Sequence, residues 1–254
     1  VKIVKNCVLV GIVLAVQFAA VASSRSAQAK DRISSSAASY FDRARAGYAT
    51  GNFDAAIADF TAAMSFEPNS TSIYLGRGRA RQGKGDLAGA IADYDKAIEL
   101  DPGLAEAYYN RGTARQIKGD LELALTDFDR ALELKPRLAN VHNNRGAVWY
   151  ALGDLDRAIA DYDNALLIDS RLVEALNNRG IAQIEKGNVG AALNDADTAL
   201  QIQPQFAAAY ATRGFARMLT GRVAEAEKDF ERCIALNPRL KPSIDARRQQ
   251  FRKK

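Results

Sequence analysis

Gly51, Gly85, Gly119, Gly153, Gly187 and Gly221 stand 34 residues apart without exception. A fixed period of this length constrains the chain more than any local pattern, because it prescribes a row of like units that bury their apolar faces on one another. Other columns keep the same register. Pro68, Pro102, Pro136, Pro204 and Pro238 fall on it, with Ser170 at the remaining place. Ala56, Ala90, Ala124, Ala158, Ala192 and Ala226 form a second column. Phe60, Tyr94, Phe128, Tyr162 and Phe230 form a third, from which Ala196 departs. A fourth runs Ala63, Ala97, Ala131, Ala165, Ala199 and ends on Cys233.

Each period reads as two helices. In the third, residues 105–118 form the first helix, Gly119 and Asp120 a turn, and residues 121–134 the second helix. Glycine tolerates the left-handed conformation that ends a helix, and Asp120 is placed to cap the one that follows. Pro136 halts propagation and opens the next unit. Connections this short make successive helices antiparallel neighbours. Gly78, Gly112, Gly146, Gly180 and Gly214 lie inside first helices, where glycine costs about 1 kcal/mol relative to alanine. That recurring cost implies a close approach of backbone to a neighbouring group.

The stretch Ala107-Tyr108-Tyr109-Asn110-Arg111-Gly112, followed by Gly119-Asp120, Ala124, Phe128, Ala131 and Pro136, resembles the tetratricopeptide repeat family. Six units cover residues 37–70, 71–104, 105–138, 139–172, 173–206 and 207–240. The resemblance implies an all-α, right-handed superhelical solenoid of antiparallel helix pairs. It also implies a concave groove, lined by the first helices, that receives a peptide or helix of a partner protein. Residues 241–254 break the period and read as a basic capping helix, with Leu240, Ile244 and Phe251 on one side and Arg247, Arg248 and Arg252 facing solvent.

Before the repeats stand Lys2 and Lys5, an apolar run from Cys7 to Ala22 and the small-residue end Ala27-Gln28-Ala29. Residues 1–29 are therefore expected to be a secretory signal cleaved after Ala29, with 30–36 a polar connection. The expected location is the bacterial periplasm; the alternative is a chain anchored in the inner membrane by an uncleaved signal.

The formal charge of +5 resolves into +3 from Lys2, Lys5 and Arg25 of the leading segment, a repeat body of −4 over residues 30–238 and a tail of +6 over 239–254. An acidic body argues against nucleic acid, whose binders spread positive charge along the docking face. The tail provides a second expectation, a self-associating scaffold held at an anionic membrane surface. Nothing in the sequence indicates the oligomeric state. Catalysis finds no foothold and no cofactor is implied, since every glycine of the 34-residue pattern is structural and no phosphate loop remains. The one histidine, His142, sits in the column of Tyr40, Tyr74, Tyr108 and Tyr210, where packing is the simpler role. Carboxylates recur in pairs such as Asp127 and Asp129, but a two-residue step turns side chains about 200° apart on a helix, so the members cannot share a metal or a proton. The column Asp59, Asp93, Asp127, Asp161, Asp195 and Asp229 is instead matched to Arg43, Arg77, Arg111, Arg145, Arg179 and Arg213 as a ladder of ion pairs.

The candidate binding residues are Asn110, Asn144 and Asn178, one per unit, with Asn143 and Asn177 beside two of them. An amide both donates and accepts, which suits a peptide backbone of any sequence. The row looks like the asparagine ladder in the repeat region of O-linked N-acetylglucosamine transferases; equally, asparagine is tolerated at a solvated helix position. The carboxylate clamp of eukaryotic co-chaperones is not matched, because its lysines are missing and Arg45 and Arg79 stand where asparagine would be wanted. Tyr150, Ile184 and Met218 replace Gln82 and Gln116 in the later units, giving either a patch for a partner's apolar anchor or extra packing between first helices.

Overall fold

The computed structural model describes residues 36–252, so the expected signal and nearly all of the 30–36 connection lie outside the described residues. Helix α1 runs over residues 36–49. It is followed by α2 (Phe53–Met64), α3 (Thr71–Lys84), α4 (Leu87–Leu100), α5 (Ala105–Lys118), α6 (Leu121–Leu134) and α7 (Ala139–Ala151). Then come α8 (Leu155–Ile168), α9 (Val173–Glu185), α10 (Val189–Ile202), α11 (Ala207–Leu219) and α12 (Val223–Leu236). A 3-10 turn, Pro238–Leu240, leads into α13 (Lys241–Arg252), and the described residues contain no strand.

The described residues form two compact bodies, one ending at Pro102 and one beginning at Gly103. In the first, α3 packs on α2 and α4 on α3; in the second, each helix from α6 to α12 packs on its predecessor. In the second body the first helices also meet one another, α5 with α7, α7 with α9 and α9 with α11, whereas no two second helices meet to that extent. That body therefore curves with α5, α7, α9 and α11 on its inner face.

The turns follow local chemistry. At the end of α5, Gly119 takes φ 93°, which lets the Asp120 amide reach the Arg115 carbonyl at 2.9 Å. Asp86 and Asp154 then cap α4 and α8 by accepting from the amides of Gly89 and Arg157. Asp120 does not cap α6. Its carboxylate accepts instead from Lys118 Nζ at 2.7 Å, an ion pair that wins over the backbone amide.

The interior glycines are explained by rings. A Cβ at Gly78, Gly112, Gly146 or Gly214 would lie 2.6–2.8 Å from the ring of Tyr94, Phe128, Tyr162 or Phe230. Each ring is buried and occupies the space a side chain would need on the facing first helix. The rings thus fit within their own repeats as well as between repeats. In the first repeat the glycine is replaced by the buried Ala44, and Phe60 presses on Gly76 of the next first helix. In the fifth, where Ala196 replaces the ring, Gly180 meets no ring; its nearest neighbour would be Thr212 Cγ2 at 3.1 Å.

Polar contacts tie the same helices. Arg111 donates to Asp127 at 2.6 Å and Arg115 to the other oxygen at 2.7 Å, within a carboxylate that is 1% exposed. Arg77 and Arg81 hold Asp93, and Arg213 and Arg217 hold Asp229, in the same way. The second member of each aspartate pair works between repeats: Arg145 also bonds Asp129 at 2.7 Å, Arg179 bonds Asp163 at 2.6 Å and Arg213 bonds Asp197 at 2.8 Å. Two carboxylates on opposite sides of one helix thus serve successive arginines. Burial works against the Asp161 carboxylate, yet hydrogen bonds from Arg145 and His142 hold its pKa below the ordinary value. Arg145, Arg179 and Arg213 are correspondingly held more firmly protonated, chiefly by the hydrogen bonds they donate to Asp161, Asp195 and Asp229.

Two predictions concern stability. Gly112→Ala gains about 1 kcal/mol of helix propensity but overpacks Phe128 at a cost of roughly 1–3 kcal/mol, so it lowers the urea midpoint, whereas Gly180→Ala costs measurably less. Similar losses at both positions would contradict the ring account. Because the Asp161 pKa is lowered on folding, its contribution is present above the unfolded value of about 3.9 and is lost as pH falls through the folded one. Stability measured by urea unfolding should fall as pH drops below about 4, and Asp161→Asn should flatten that fall while lowering stability at neutral pH.

Candidate functional site

The asparagine row lies between the first helices. Asn178 Nδ2 donates to Asn143 Oδ1 at 3.0 Å, Asn143 Nδ2 to Asn144 Oδ1 at 3.3 Å, and Asn144 Nδ2 to the Tyr109 hydroxyl at 3.3 Å. One relay therefore crosses α9, α7 and α5. Asn177, 5% exposed, accepts from Thr212 Oγ1 of α11 at 2.8 Å. These bonds join residues 35 apart, a spacing that sets a donor on one first helix against the acceptor on its neighbour. Each amide has two donor hydrogens and an oxygen with two lone pairs, so the relay orients Asn144 and Asn178 while using part of their capacity. Asn110, the first residue of the row in its body, differs: its Nδ2 is buried and has no hydrogen-bond partner among the described residues.

Beside the row opens a cavity of about 460 Å³ lined by Tyr109, Glu106, Lys135, Leu138, Asn140, Val141 and Ile168 among others. It lies at the starts of α5 and α7, where an apolar floor meets two acidic and two basic side chains, Glu106 and Asp169 with Lys135 and Arg137. The first body has a smaller counterpart of about 190 Å³, lined by Ala37, Phe41, Glu67, Ser70 and Ile73 at the same positions two periods earlier.

The apolar candidates separate. Ile184 is 5% exposed and packs with Phe215, Phe230 and Ile244, while Met218 is half-buried against the same cluster. Tyr150 is half-buried beside Tyr162 and Ala182. Burial, then the charge of Glu185, raises the Tyr150 pKa. Cys233 is fully buried in its alanine column, and burial pushes its thiol up, away from the reactive thiolate.

Two sequence expectations need amendment. His142 does more than pack. Its Nδ1 lies 3.1 Å from Asp161 Oδ1 and its Nε2 3.3 Å from the Pro136 carbonyl, where Tyr210 of the same column donates its hydroxyl to the Pro204 carbonyl. Arg247 and Arg248 do not face solvent freely; they pair with Glu185 and Glu227 and lie over the rings of Phe215 and Phe230. A guanidinium can satisfy a carboxylate and an aromatic face together, which draws both arginines onto the body. Arg81, Arg115 and Arg217, which sequence reasoning passed over, share the buried carboxylates; their signal is an arginine four residues after three of the six ladder arginines, Arg77, Arg111 and Arg213.

Family models for the tetratricopeptide repeat match residues 37–70, 105–138, 139–172 and 207–240, and a TPR repeat model matches 83–116. No curated protein matches the sequence significantly. Among solved structures, the MamA protein is similar at 26% identity and TM-score 0.58, over 67% of this chain and 93% of that one. YrrB, described as a TPR protein with an unusual peptide-binding site, is similar at 23% identity and TM-score 0.57, over 74% and 97%. Pseudomonas aeruginosa PilF has TM-score 0.71 at 17% identity, over 81% and 94%. The helix pairs, the glycine–ring contacts and these matches agree: the chain belongs to the tetratricopeptide repeat family.

Proposed function

We propose that the protein is a non-catalytic interaction scaffold that holds an extended peptide or helix of a partner protein on its first-helix face, in the cell envelope. The observation that carries this reading is the half-buried amide row on α5, α7 and α9 beside the Tyr109 cavity, with a buried Asn110 amide nitrogen that has no partner of its own. A buried donor left unsatisfied is costly, and a ligand carbonyl relieves that cost. Asn144 and Asn178 offer remaining amide capacity along the same line, while Tyr150 and Met218 provide half-buried apolar surface further on. The peptide-binding site named for YrrB supports the reading only as an example of what this fold accommodates.

The leading segment supports export, with cleavage after Ala29 giving a mature chain that begins at Lys30. The membrane-surface alternative is weakened, because two of the tail's arginines are committed to Glu185 and Glu227.

Asn110→Ala removes no intramolecular side-chain bond, so it should leave the thermal midpoint nearly unchanged. Losing one peptide hydrogen bond of about 1 kcal/mol should weaken binding roughly fivefold to peptides selected on an immobilised array. Unchanged affinity with unchanged stability would remove Asn110 from the site. Mass spectrometry of the protein recovered from its native envelope should give an N-terminus at Lys30; a retained Val1 would contradict cleavage.

A further inference from the structure

Helix α13 does not simply continue the stack. Its Ile244 is 2% exposed and joins Ile184, Phe215 and Phe230 in one apolar cluster. Arg247 donates to Glu185 of α9, and its guanidinium lies 5.0 Å from the centre of the Phe215 ring on α11. Arg248 donates to Glu227 of α12 and lies 5.2 Å from the centre of the Phe230 ring. A helix that merely followed α12 in register would meet α11 and α12. Arg247 reaches one first helix further, to α9, and its charge also acts on Tyr150 of α7. The helix thus shares one apolar cluster with Ile184 and Met218, two of the residues that the sequence offers as either anchor surface or packing.

Its hold is narrow. Ile244 is the one buried residue among the described side chains of α13, and the remaining anchors are guanidinium contacts with carboxylates that are 46% and 38% exposed. Attraction between such partly exposed charges is screened by salt. The 3-10 turn Pro238–Leu240 is the joint on which the helix is carried.

We propose that this surface is a receptor for a basic amphipathic helix, with a cradle of Ile184, Phe215 and Phe230 and an acidic rim of Glu185 and Glu227, filled in cis by α13. A partner helix with the same arrangement, one aliphatic anchor followed by two arginines, enters when α13 lifts. The charge of the rim selects the occupant: an acidic helix is repelled, and a neutral one loses both ion pairs. Tethering gives α13 a high effective concentration, so a free helix competes poorly until α13 is released. The proposal rests on the first-helix reading above only in the face it uses; the asparagine row plays no part in it.

The test uses the full chain and a fluorescent synthetic peptide with the sequence of residues 241–252. Ile244→Asp with Arg247→Glu and Arg248→Glu lifts α13. This variant, folded by circular dichroism, should bind the peptide on the order of tenfold tighter than wild type at low ionic strength. Adding Glu185→Lys and Glu227→Lys should abolish that binding. Equal binding with and without the reversed rim, or none to the folded lifted variant, overturns the proposal. Hydrogen exchange provides a second readout on a milder variant. With Glu185→Gln and Glu227→Gln, amides of α13 should exchange about tenfold faster while α9–α12 stay protected. Exchange of α13 together with α12 in both proteins would make it an integral cap and overturn the proposal. Either failure alongside retained Asn110-dependent peptide binding would leave the asparagine reading standing.

Discussion

The fold depends on the contact, made in four of the six repeats, between a glycine of the first helix and an aromatic ring of its partner. At Gly112 the Phe128 ring occupies the volume that any side chain would take, so the two backbones can approach. That approach sets Arg111 and Arg115 within hydrogen-bond distance of Asp127, and places the buried carboxylate between them. Tight packing and charge satisfaction coincide at this contact.

The same condition propagates along the second body. Arg145, Arg179 and Arg213 each bond the aspartate of their own repeat and the second aspartate of the repeat before. Asn144 and Asn178 make the corresponding links among first helices. Every repeat is therefore tied to its neighbours as well as closed on itself, as nearest-neighbour stacking requires. The curvature that follows leaves the first helices on the inner face, where the amide row, the Tyr109 cavity and α13 all lie. The proposed binding surface is thus a by-product of how the repeats are joined.

Much of this was legible from spacing alone, because the period places Gly, Ala, Pro and aromatic residues in columns with one role each. The Arg–Asp ladder was readable for the same reason. What escaped is what the period hides, namely partners on other repeats. Asp129 looked redundant until Arg145 reached it from the following helix. Asn177 looked like a groove residue, yet it is buried against Thr212. Ile184 fitted either a partner's anchor patch or packing between first helices; it packs, and one of its partners, Ile244, comes from the segment where the period stops. His142 fitted its tyrosine column in size, but a ring with two nitrogens reaches two groups where a hydroxyl reaches one.

The most direct test of the central claim, that the first-helix face holds a partner chain, is site-specific photocrosslinking in living cells. A photoreactive residue at Asn140, exposed at the rim of the Tyr109 cavity, is compared with one at Leu167, which is 84% exposed on the second helix α8. The account predicts a discrete protein adduct from position 140 and none from position 167. An adduct from 167 alone would place the partner on the opposite face and contradict it.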